Sequence, residues 1–446
     1  MQAFSKLKEF IEKTLIGKLS DYGFPKHKLA ASYFAVLNVF NLLLNPWMYL
    51  KAAQAAFYYL PFIAPFVLLH KIRTYWKVYI RSDFLSKQEY TLLEVILPHD
   101  FEQSPAAMEA FLGSLYINQG ESTVIATKWK GSTRPWWSLE LVSIEGELHI
   151  YIWTWKKFRQ FLENNFYAQF PNCELVEVQD YMDGLFYDYD KIALWGTDYK
   201  FVKPDVYPIK SYIDWKLDKI DHIKNKDEIV DPINSVYEKL AAIGEGEVVI
   251  LQIMFQQTLN NNWQKEVEDE IENIYESRTQ EYTDMANPEE TVKGFAQLRP
   301  QDYDLVNTLK HSISKDAFDV GIRSLYIAKK DKFKPGERVG PNHVNLFIAF
   351  EAPNLNFPKG LAHWLAGFDY PWEDIWERER IKRRKKILDA ARRRAYFHTP
   401  YSFDPLILTT EELATIFHFP VNRTILSKLA AVQRSKKIAP PQNLPS

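Results

Sequence analysis

Apolar and polar positions divide the chain into three regimes. Residues 29–69, LAASYFAVLNVFNLLLNPWMYLKAAQAAFYYLPFIAPFVLL, are almost continuously apolar and are broken at Asn45-Pro46. A membrane-spanning helix needs roughly 17–25 apolar residues. The arm Leu29–Leu44 falls just short of that length, while the arm from Trp47 to Leu69 meets it but contains Lys51, Gln54, Pro61 and Pro65. Asn-Pro is a turn signal, so the block predicts a transmembrane helical hairpin over 29–69 that follows a cytoplasmic N-terminal helix over 1–28. Lys26 and Lys28 precede the block, and Lys71, Arg73 and Lys77 follow it, which places both ends in the cytoplasm. The competing readings are two buried helices of a soluble domain, or one helix lying in the interface.

From Tyr90 the pattern switches to alternation. TLLEVILP (91–98) reads as a strand. SPAAMEAFLGSLYI (104–117) reads as a helix with a serine cap and proline in its first turn. WWSLELVSI (136–144) and ELHIYIWTW (147–155) flank Glu145-Gly146 as a hairpin. KKFRQFLENNFYAQF (156–170) is an amphipathic helix and CELVEVQDY (173–181) a strand. This β-α-β-β-α-β order predicts an α+β fold with a ferredoxin-like domain over 85–185. A second ferredoxin-like unit over 195–365 repeats the theme with insertions. Its strands are expected at KSYIDWKLDKI (210–220), EVVILQIMFQQ (247–257), AFDVGIRSLYIAKK (317–330) and HVNLFIAFEAP (343–353). Its helices are expected at 232–243 and 302–314, with an acidic helical insertion over 263–282.

The third regime is charged. A basic helix is expected over 372–398, with ten cations between Arg378 and Arg394: Arg378, Arg380, Lys382, Arg383, Arg384, Lys385, Lys386, Arg392, Arg393 and Arg394. Only Glu379 and Asp389 oppose them, and Ile375, Ile381, Ile387 and Leu388 form a narrow apolar seam. A solvated connecting helix, a DNA phosphate contact and a contact with anionic lipid or an acidic partner all fit that pattern. Residues 405–446 then read as a short capped helix, ILTTEELATIFHFP, and a Pro-rich linker. Thr409 or Thr410 caps it, close to a capping box, and Leu413, Ile416 and Phe417 form its buried face.

Composition narrows the chemistry. The net charge of −2 exerts no global pull toward nucleic acid or membrane, so any such pull is local. The single cysteine, Cys173, forms no intramolecular disulfide and suits strand packing. The sequence holds no phosphate-binding loop, dinucleotide fingerprint, HExxH or GxSxG motif. Asp183, Asp188 and Asp190 cluster in a tyrosine-rich loop and read as turn residues. No catalytic, cofactor-binding or metal-ligating set stands out, and the polypeptide reads as a non-enzyme.

Several stretches taken together carry a resemblance. They are LLEVILP (92–98), SPAAMEAF (104–111), WWSLELVSIEGELHIYI (136–152), FYAQFPNCELVEVQDY (166–181), GEGEVVILQIMFQ (244–256), FDVGIRSLYIAKKD (318–331), LFIAFEAPNLNFPKG (346–360) and the ending ILTTEELATIFHFP with PPQNLPS. Over residues 70–446 the chain resembles the N-terminal, non-motor region of membrane-anchored HerA/FtsK-like ATPases. These are the type IV secretion or conjugative DNA-transfer proteins found largely in candidate-phyla bacteria. The resemblance implies a platform in the bacterial cytoplasmic membrane, with the bulk of the chain facing the cytoplasm. It also implies a homo-oligomer, as a hexameric ring, and a separate or missing HerA/FtsK-like motor as partner. In that reading Thr410, Glu411, Leu413, Phe417, His418 and Pro420 dock onto the motor. The alternative is a DNA-binding adaptor that presents substrate through residues 378–394.

Overall fold

The computed structural model describes Asn38 and residues 46–433, apart from 118, 122, 186–187, 189, 223–229, 261, 284–290, 297, 362–373, 375 and 431. The expected helix over 1–28, nearly all of the first hairpin arm, Ile375 and the Pro-rich tail lie outside these residues. The chain divides into two compact units: one takes in the described residues of Met1–Ile80 and Leu365–Arg383, the other Arg81–Trp364 and Arg384–Ser446.

The transmembrane hairpin is corrected by the structure. Pro46 opens one helix of 41 residues, Pro46–Ser86, which runs through Pro61, Pro65 and the basic positions Lys71, Arg73, Lys77 and Arg81. Proline suits the first turn of a helix, where its missing N–H costs nothing, so Asn-Pro is as compatible with a helix start as with a turn. The arms Tyr49–Phe62 and Ala64–Ser86 meet at a 55° bend, and among the described residues no single helix is long and apolar enough to cross a membrane. Trp47, Phe57, Tyr58, Tyr59, Leu60, Phe62, Phe66 and Leu69 are all exposed, and the run at 57–60 covers every side of the helix.

The larger unit is built on one ten-stranded sheet. Its strands are β1 (Tyr90–Pro98), β2 (Trp137–Ile144), β3 (Glu147–Trp155), β4 (Glu174–Val178), β5 (Ile192–Phe201), β6 (Glu247–Gln257), β9 (Ala317–Lys329), β10 (Pro358–Leu361), β11 (Leu406–Thr409) and β12 (Val432–Gln433). A separate hairpin pairs β7 (Thr279–Thr283) with β8 (Thr291–Ala296). Within the sheet β4-β1-β3-β2 and β10-β5-β9-β6 have the same order, first to fourth strand, and all their pairings are antiparallel. The halves join where β2 pairs β6 over eight residues, from Trp137 opposite Phe255 to Ile144 opposite Val248. Residues 85–185 and 195–365 therefore share one sheet.

Two segments differ from the alternation reading. Residues 210–220 form turns and part of a 3₁₀ helix (Leu217–His222), because Lys216 adopts φ 61° and the Asp214 carboxylate accepts from the Ser211 N–H. Residues 343–353 are helical turns, and the strand of that half is the short β10. The missing partner is β5, at 192–201, which the pattern passes over.

One sheet face carries the apolar core, with Leu139, Leu141, Ile150, Ile152, Leu251, Ile253 and Ile322 beneath the helices Pro105–Ser114, Arg159–Gln169 and Ile233–Ala241. The C-terminal segment belongs to this layer. Phe419 packs against Phe101, Phe166 and Phe170 at centroid distances of 5.7, 6.2 and 5.0 Å. Its helix, Thr410–Ile416, starts at a complete capping box formed by Thr409 and Glu412.

Candidate functional site

The other sheet face is polar in one transverse row. Glu94 (β1), Tyr151 (β3), Glu140 (β2), Gln252 (β6), Arg323 (β9) and Asp198 (β5) stand directly opposite one another across six strands. Glu94, Glu140 and Gln252 each stand between apolar neighbours, in LLEVI, SLELV and ILQIM, which is the signal of the row in the sequence; Arg323 and Asp198 lie in more polar strands. In the structure Glu140, Gln252, Arg323 and Asp198 are all buried.

What buries them is the end of the basic helix and the segment after it. The helix spans Arg378–Arg392, and its Ile387 and Leu388 are buried. Ile387 lies over Gly196, where a Cβ would come within 2.3 Å of Ile387 Cδ1. Tyr396 lies over Gly321 in the same way, 2.3 Å from a Cβ built there. Two glycines on adjacent strands thus let the covering segment approach the sheet backbone.

Arg394 sits between these contacts. The Arg394 N–H donates to Ala391 O and the Ala395 N–H to Ala390 O, at 3.0 and 2.9 Å, which is a Schellman ending with arginine at the position glycine usually takes. Its φ of 48° turns the side chain into the sheet face. Nε and Nη2 donate to the two Glu140 oxygens at 2.9 and 3.1 Å, Nη2 also to Asp180 at 3.0 Å, and Nη1 to Asp180 and to Arg392 O. All five guanidinium N–H groups are used. Glu140 further accepts from Ser138 (2.8 Å), Tyr181 (2.7 Å) and Gln252 (3.2 Å). Burial lowers the Arg394 pKa, but Glu140, Tyr181 and Asp180 overcome it and hold the guanidinium well above its ordinary value. Burial and the Glu140 charge likewise push the Tyr181 hydroxyl well up. The second ion pair of the row, Arg323 to Asp198 at 2.8 Å, is also buried.

These contacts redistribute the ten expected cations. Arg394 is a structural group, inaccessible to phosphate. Arg392 donates to Leu185 O at 2.7 Å and Arg393 pairs with Asp389 at 3.0 Å. Lys382 pairs with Glu379 at 3.5 Å, and Arg378 lies over the Trp376 ring at 5.4 Å. Arg380, Arg383 and Arg384 are half-buried, whereas Lys385 and Lys386 are exposed. Much of the positive charge is compensated within the chain.

The expected motor-docking set meets a similar fate. Thr410, Glu411, Leu413, Phe417, His418 and Pro420 are buried. Glu412 accepts from the Ile209 N–H at 2.8 Å, and Glu411 bonds His311 at 2.7 Å and Lys315 at 3.3 Å. His418 donates from Nδ1 to Ala414 O (2.9 Å) and from Nε2 to Asp231 (3.0 Å). Burial disfavours its charged form, but Asp231 outweighs burial and raises its pKa. Glu411 and Glu412 also line a cleft of about 280 Å³ together with His311 and Lys315.

The remaining expectations are quickly placed. Cys173 is buried, and burial pushes its thiol up to about 12, so it is an inert packing group. Asp188 accepts from the Asp190 N–H at 3.1 Å as a turn residue, while Asp183 borders a cleft of about 360 Å³. That cleft, also lined by Tyr90, Trp136, Trp153, Arg393, Tyr396 and His398, opens beside the buried Arg394 network and was not apparent from motifs. No protein-family model matches the chain, and no curated protein matches it.

Proposed function

We propose that this protein is a non-catalytic platform subunit of a type IV secretion or conjugation-like translocation machine, working beside a HerA/FtsK-like ATPase at the bacterial cytoplasmic membrane. The type of machine and its motor rest on the sequence resemblance. The platform role rests on the helix Pro46–Ser86, whose large apolar side chains from Trp47 to Tyr79 are exposed. Its stretch Phe57–Leu69 carries no charge and exposes large apolar side chains, a surface that calls for an apolar covering. The headgroup–acyl boundary of a membrane surface and the same helix of neighbouring copies cover such side chains, so seating and homo-oligomerisation go together. The basic residues from Lys71 to Arg81 then stand next to anionic headgroups.

Flotation of the full chain with phosphatidylglycerol-containing vesicles tests this reading. The protein is expected in the top fraction. A variant with Phe57→Asp, Phe62→Asp, Phe66→Asp and Leu69→Asp is expected at the bottom with an unchanged melting transition, since each carboxylate in an apolar phase costs about 2.5–3.5 kcal/mol. Equal distribution of the two proteins overturns the reading.

A further inference from the structure

The larger unit also presents apolar side chains to solvent, on a short excursion of the chain. The helix Val124–Lys128 and the residue after it expose Val124, Ile125 and Trp129 at 63%, 63% and 69%. Among the described residues of that unit, Val230 is the only other large hydrophobic side chain as exposed. Helical spacing places Val124, Ile125, Lys128 and Trp129 on one side, while Ala126 and Thr127 are half-buried on the other. Lys128 and Lys130 are exposed as well, so two lysines border the three apolar side chains. The excursion is held by its own hydrogen bonds. The Thr123 hydroxyl accepts from the Ala126 N–H at 3.1 Å, and the Ser132 N–H donates to Ala126 O at 2.9 Å. Gly120, with φ 106°, lets the chain turn out past Thr133 O, which a Cβ there would approach to 2.2 Å. An apolar face held outward in this way calls for a covering.

The root of the excursion points to what covers it. Glu121 pairs with Arg134 at 3.3 Å and with Arg81 at 3.9 Å. Arg81 closes the basic run from Lys71 that the platform reading sets beside anionic headgroups, so the ion pair ties the excursion to the headgroup level. A tryptophan and two aliphatic side chains beside two lysines match the boundary between headgroups and acyl chains. We propose that residues 123–130 form a second membrane contact, with Val124, Ile125 and Trp129 entering the acyl boundary and Lys128 and Lys130 on anionic headgroups. This contact rests on the platform reading and adds that the larger unit itself touches lipid.

Cys173 is buried, so Ile125→Cys supplies an accessible thiol that takes an environment-sensitive fluorophore selectively, and Val230→Cys supplies the control. The full chain carrying either label is mixed with phosphatidylglycerol-containing vesicles whose acyl chains are brominated. The label at 125 is expected to shift to the blue and to be quenched, and the label at 230 to be unaffected. Val124→Ser, Ile125→Ser and Trp129→Ser together are expected to raise the lipid concentration for half-binding about 10-fold, with the melting transition unchanged. A chain that floats with its label at 125 unquenched overturns this contact alone and leaves the patch to a protein partner. Equal quenching at 125 and 230, or half-binding unmoved by the three serines, also overturns it. A chain that stays at the bottom overturns the contact and the platform reading together. Quenching at 125 that survives Phe57→Asp, Phe62→Asp, Phe66→Asp and Leu69→Asp supports the contact while removing the long helix as the seat.

Discussion

Arg394→Ala is expected to destabilise the larger unit by about 3–5 kcal/mol, read as a lowered midpoint in chemical denaturation. The size follows from what is left behind. Glu140 is fully buried, and without Arg394 it keeps only neutral donors from Ser138, Tyr181 and Gln252. Removing one member of a buried ion pair strands the other charge, which costs far more than the pair contributes. Two further variants separate charge from backbone. Arg394→Gly relieves the left-handed φ of 48°, so it should be milder than alanine by about 1 kcal/mol while remaining strongly destabilising. The double variant Arg394→Met, Glu140→Leu should recover most of the loss, because it removes the stranded charge. An Arg394→Ala protein as stable as wild type would contradict the network.

Phe419→Ala is expected to cost about 3–5 kcal/mol. Its ring meets Phe101, Phe166, Phe170 and Phe417 with centroids 5.0 to 6.4 Å away, and it is 2% exposed. A docking segment or linker at this position would make the substitution nearly neutral for stability. The prediction therefore distinguishes a C-terminal segment that completes the core from one that awaits a partner. Denaturation of the full chain reads it directly.

How much of this was legible follows from where periodicity and chemistry agree. The strand β6 coincides with EVVILQIMFQQ, and β3 with ELHIYIWTW, because both are long apolar runs that begin directly after a glycine turn, at Gly246 and Gly146. The strand β5 was not legible because Gly196 and Asp198 break its pattern, and both are there for the covering segment: Gly196 makes room for Ile387 and Asp198 holds Arg323. The basic helix was legible as charge but not as contact. Arg394 looks like its neighbours in sequence, and only the register of β2 reveals that Glu140 lies beneath it. The hairpin reading failed because an Asn-Pro pair marks a helix start as well as a turn. In the C-terminal segment the cap was legible from Thr409 and Glu412, whereas its burial depends on Asp231 and Phe101, which are distant in sequence.

The platform account is tested most directly by photo-crosslinking in the cells that make the protein, with a photoreactive residue in place of Tyr59, which is 64% exposed on the apolar helix. The account predicts a ladder of adducts between copies of the chain, together with a HerA/FtsK-like ATPase carrying a Walker A motif in the same cross-linked isolate. A single uncross-linked band, or an isolate that contains no such ATPase, contradicts it.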